Sequence, residues 1–81
     1  MNVARLTDIA QGVARAHIEP LGFALTLHFY GEGLKLGLFD GREDLIEHLL
    51  LKGMPDAVQE EYVHCRVHAL AGKLIARRYP T

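Results

Sequence analysis

Glu61, His64 and His68 fall at three- and four-residue steps in a helix-like segment, so a carboxylate and two imidazoles share one flank. Two histidines and a carboxylate are a ligand set that zinc or iron accepts. A catalytic site wants three protein ligands braced by further hydrogen bonds, and a zinc protease places a glutamate between its histidines. Here Cys65 and Arg66 follow His64 instead. The plainer reading is a half-exposed polar seam with His–Glu contacts at helical spacing, and it assigns no metal ligand and no cofactor.

Cys65 lies beside His64, and a cationic imidazole lowers a thiol's pKa. Adjacent helical residues point about 100° apart, however. Cys65 is therefore expected to act as a small buried hydrophobe. The sequence contains no serine, which removes serine nucleophiles, and Thr7, Thr26 and Thr81 have no local base. Gly31-Glu32-Gly33 is a Gly-x-Gly, but it opens no helix and so lacks the anion-binding geometry of a phosphate loop. No catalytic residue is assigned.

Charge is lopsided although the net value is only −1. Asp40, Glu43, Asp44, Glu47, Asp56, Glu60 and Glu61 face only Arg42 and Lys52 in the middle of the chain, whereas Arg66, Lys73, Arg77 and Arg78 gather near its end. The acidic run could imitate DNA, and the basic end with Tyr79 could hold a few phosphates. Three or four such contacts give weak, salt-sensitive affinity. A helix that prefers acid at its start and base at its finish explains most of the asymmetry, so nucleic acid is disfavoured as a partner.

The elements that must position these residues belong to an 81-residue chain, read as one domain over residues 1–81. Cores of this size are marginal, and a lone cysteine allows no internal disulfide and suits a cytoplasmic location. A hydrophobic fraction of 49% argues for folding, and no apolar run is long enough to span a bilayer, so no membrane partner is expected.

Val3, Leu6, Ile9, Ala10, Val13, His17 and Ile18 trace an amphipathic helix that Pro20 and Gly22 end. Phe23, Leu25, Leu27 and Phe29 then alternate with Ala24, Thr26, His28 and Tyr30. After the glycine turn, Leu34, Leu36 and Leu38 alternate with Lys35, Gly37 and Phe39, which completes a β-hairpin. Asp40 with Glu43 reads as a capping box, opening a helix whose buried face is Leu45, Ile46, Leu49 and Leu50 and which Gly53 closes. Pro55 opens a last helix to about Arg78. The expectation is an α+β fold in the order α-β-β-α-α, with the antiparallel hairpin packed against helices.

The last helix has apolar residues on two sides. Val63, Val67, Leu70 and Leu74 suit the core, while Val58, Tyr62, Cys65, Ala69, Gly72 and Ala76 form a second stripe of mostly small residues. Either the first helix covers that stripe or a partner does. A two-stranded hairpin also exposes two edges, which a homodimer would shield. His28, Tyr30, Lys35 and Phe39 on the open hairpin face, and Tyr62, Ala69 and Ala76 on the last helix, are the candidate protein-contact residues.

With no reaction centre in view, elimination favours a non-enzymatic protein-binding module. It would act as an inhibitor or adaptor that occludes a larger partner, a class that includes phage-encoded anti-defence proteins of the anti-CRISPR kind. The alternatives are a small nucleic-acid-associated regulator using the basic helix end and a metal-binding protein using Glu61, His64 and His68.

Overall fold

The computed structural model describes residues 1–41 and 43–78, with Glu43, Asp44 and Arg78 described by backbone alone. The first helix, α1 (Val3–His17), starts where the Asn2 side chain accepts the Arg5 N–H at 3.1 Å. That contact satisfies one of the donors a helix start leaves unpaired. Pro20 follows α1 in a short 3-10 turn (Glu19–Leu21), and Gly22 takes φ +88° beyond it. The stop expected from Pro20 and Gly22 is therefore present.

Strands β1 (Ala24–Tyr30) and β2 (Gly33–Phe39) form the expected antiparallel hairpin around a two-residue turn, in which Gly31 adopts φ +53°. Its register places Leu25 opposite Leu38, Leu27 opposite Leu36 and Phe29 opposite Leu34. These six residues face the helices, and Leu25, Leu34, Leu36 and Leu38 are buried. The expected core face of the hairpin is correct.

The next segment differs. Residues expected to form a helix after Asp40 are strand β3 (Glu43–Leu50), which pairs antiparallel with β2 and completes a three-stranded meander in the order β1-β2-β3. The element order is thus α-β-β-β-α within the same α+β class. Gly41, at φ +113°, follows Asp40 where a helix cap was expected, and the chain reverses there. Gly53 does adopt a left-handed conformation, φ +82°, but in the turn between a strand and a helix. Leu45, Ile46, Leu49 and Leu50 satisfy a helical spacing on paper. In the sheet Leu45 and Leu49 go inward with Glu47, whereas Ile46, His48 and Leu50 point outward.

Helix α2 (Asp56–Arg78) packs on the inner face of the sheet through a shared core and the Arg66–Glu47 contact. Val63, Val67, Leu70 and Leu74 join one core cluster with Leu6, Ala10, Val13, Ala14 and Ile18 of the α1 segment and the inner strand residues. Three contacts set the direction of the helix pair. The Met1 amino group lies 3.5 Å from Asp56, Arg5 bonds Glu60 at 3.0 Å, and the His17 ring meets that of His68. Since the partners rise together along both segments, α1 and α2 run side by side in the same direction. Gln59, buried at the start of α2, ties in the loop before it by donating to the carbonyls of Leu51 and Met54 at 3.2 and 3.0 Å.

Candidate protein-contact surfaces

Both helices cover the same face of the meander, so the other face is open. Antiparallel pairing fixes what it displays: Thr26, Gly37 and Ile46 form one row, His28, Lys35 and His48 the next, and Tyr30, Gly33 and Leu50 the third. Phe39 stands at the far end, opposite Ala24. The fold thus brings His28, Tyr30, Lys35 and Phe39 onto one surface, and His28, Lys35 and Phe39 line a shallow depression of about 360 Å³.

Large apolar side chains remain wet on this face. Tyr30 is 44% exposed, Phe39 41%, Ile46 48% and Leu50 69%. The helical spacing of Leu45, Ile46, Leu49 and Leu50 hides Ile46 and Leu50; alternation over residues 45–50 is the signal that marks them. Tyr30 is held in place rather than waving free. Its ring lies over Gly33, where an added Cβ would come within 3.2 Å of it and 3.0 Å of the Leu49 carbonyl. The Tyr30 hydroxyl is 3.2 Å from His48 Nδ1, within hydrogen-bond reach, and the Tyr30 ring packs between those of His28 and His48.

A second surface lies on α2, pointing away from the sheet. Tyr62 and Ala69 are half-buried and Ala76 is exposed, so α1 does not seal the stripe they belong to. The first helix packs instead along the flank that carries Glu60 and His68. Ala57, Val58, Glu61, Tyr62 and Cys65 line a depression of about 570 Å³. Cys65 is exposed, which corrects the expectation of a buried hydrophobe.

The histidines are arranged differently from the Glu61, His64, His68 set. His64 and His68 are ring neighbours, 4.7 Å between centroids, but the third member is His17, reaching from the end of α1 to within 4.8 Å of His68. Sequence spacing could not reveal that contact, which depends on the pairing of two distant helices. Loss of water around the ring, and then the two neighbouring imidazoles, hold His68 below the ordinary imidazole range. Among the described residues, no three His, Cys, Asp or Glu side chains converge as a metal site.

Glu47 is a charged residue on the helix-facing side of β3. Arg66 of α2 donates a hydrogen bond to its Oε1, and that contact raises the guanidinium pKa further above its ordinary value. The other carboxylate oxygen, Oε2, is buried without a donor among the described residues. At the basic end of α2, Lys73 and Arg77 are exposed, while Tyr79 lies outside the described residues. Among the described residues no helix is long and apolar enough to cross a membrane. No protein-family model, curated protein or solved structure matches this chain.

Proposed function

We propose that this protein is a non-enzymatic protein-binding module whose principal contact surface is the open face of its sheet. One observation carries the reading: Tyr30, Phe39, Ile46 and Leu50 remain 41–69% exposed on a face that the helices leave bare. Large apolar side chains exposed on one uncovered face favour association, and aromatic rings beside polar groups make effective interface anchors. Tyr30, fixed by Gly33 and His48, loses little conformational freedom on binding, which lowers the cost of association.

The α2 stripe faces away from the open sheet, so the molecule presents two apolar surfaces in different directions. That arrangement suits an adaptor bridging two proteins, as well as an inhibitor that occludes one. The test is capture of partners from the source cell by the immobilised protein, compared with a Phe39→Ser, Leu50→Ser double variant. Both positions are already exposed, so the melting temperature should stay within a few degrees of wild type. A partner retained by wild type and lost by the variant is the expected result. Capture of nothing, or capture indifferent to the double variant, would overturn the assignment.

A further inference from the structure

The two edges of the sheet are unequal. Helix α1 lies against β1, and its Gln11 side chain donates to the Leu25 carbonyl at 3.2 Å. Among the described residues, only β2 lies alongside β3 over an extended length. Alternate residues of an edge strand turn their N–H and C=O groups outward, and among the described residues nothing on the far side of β3 bonds to them. An eight-residue strand without proline or lysine is thus left as a template for another strand.

The side chains on β3 say which strand fits. On the open face Ile46 and Leu50 are exposed and want apolar cover. On the helix side Glu47 has one oxygen occupied by Arg66 and the other buried without a donor. An inward-facing charge on an edge repels strands that would bury it uncompensated. It welcomes a strand that supplies the missing donor. A second copy of the chain cannot do so through this edge, because β3 (EDLIEHLL) contains no lysine or arginine. In two-fold antiparallel registers that match the faces, Glu47 meets Leu45, Leu49 or another Glu47.

We propose that the free edge of β3 captures an extended segment of another protein, one carrying lysine or arginine opposite Glu47 and apolar residues along the open face. This deepens the protein-binding reading and rests on it: the added strand would extend the open face and its side chains would cover Ile46 and Leu50.

The probe is a synthetic peptide of about nine residues alternating threonine and valine, with lysine in place of the central threonine. It is compared with peptides carrying norleucine or glutamate at that position, and with a lysine peptide N-methylated at alternate residues. Titration into isotope-labelled protein should shift the amide resonances of residues 45–50 while leaving β1 nearly unchanged. The lysine peptide should bind about tenfold tighter than the norleucine peptide, as a charge-assisted hydrogen bond implies. Glutamate and N-methylation should abolish binding. Glu47→Gln should erase the lysine preference, and Leu50→Lys, at a position that cannot disturb the core, should weaken every peptide.

Equal affinity for lysine and norleucine peptides, binding that survives N-methylation, absence of binding by the whole set, or a stable dimer built on β3 would each overturn strand capture. If these results came with partner capture that still depended on Phe39 and Leu50, the protein-binding reading would stand and only its strand-capture form would fall.

Discussion

At the scale of single residues, His68 sits where a positive charge is disfavoured. His64 precedes it by one turn on α2, His17 faces it from α1, and no carboxylate contributes to lowering or raising its affinity for a proton. Its pKa in the folded chain lies below the unfolded value, so below about pH 6.5 the unfolded chain binds more protons and acid favours unfolding. The stabilising contribution is full above that pH and declines as pH falls toward the folded pKa. Thermal melts between pH 7.5 and 5.5 should show a melting temperature that drops on acidification. His68→Gln should flatten the drop, and His17→Gln should reduce it by removing the neighbour on α1. A drop unchanged in both variants would place the acid sensitivity elsewhere. The exposed Cys65, by contrast, shows that a small residue in a helix need not be buried merely because its type usually is.

At the scale of elements, the Glu47–Arg66 pair links β3 to α2. Arg66→Ala should cost about 1–3 kcal/mol, measured by denaturant unfolding, because it strips a mostly buried carboxylate of its donor. The double variant Glu47→Leu, Arg66→Leu should recover most of that loss, since an apolar pair of similar volume avoids the uncompensated charge. The same glutamate disguises β3 as a helix in the sequence. Strict alternation would make Leu45, residue 47 and Leu49 apolar; an acid in the middle breaks the pattern and leaves Leu45-Ile46 and Leu49-Leu50 at helical steps. What decides for a strand is tertiary: β2 has a second edge, and Leu34, Leu36 and Leu38 need neighbours on that side. The rest of the architecture was legible locally, in the stop at Pro20 and Gly22, the turn at Gly31 and the core stripe of α2. Of the proposed contact surface, His28, Tyr30, Lys35 and Phe39 are readable from alternation. Ile46 and Leu50 follow from the same alternation once residues 45–50 are read as a strand, which the acid at position 47 obscures; the His17–His68 contact depends on the pairing of two distant helices.

At the scale of the whole molecule, the sheet is built from neighbours in sequence, whereas α1 and α2 meet only after some fifty intervening residues have found their places. Short-range pairings form with little loop-closure entropy, and the helix pair must wait for a long loop to close. Arg5→Ala, which removes the 3.0 Å bond to Glu60, should therefore leave the folding rate nearly unchanged and speed unfolding instead, in stopped-flow measurements. A slowed folding limb would show that the helices dock before the meander is complete. The parallel course of α1 and α2 carries a practical consequence for engineering. Both helices begin at one end of the molecule, so a linker from the start of α1 to the far end of α2 must span the length of the 23-residue helix itself, about 34 Å. A permutant that joins the start of α1 to the end of α2 therefore needs a linker of at least about ten extended residues.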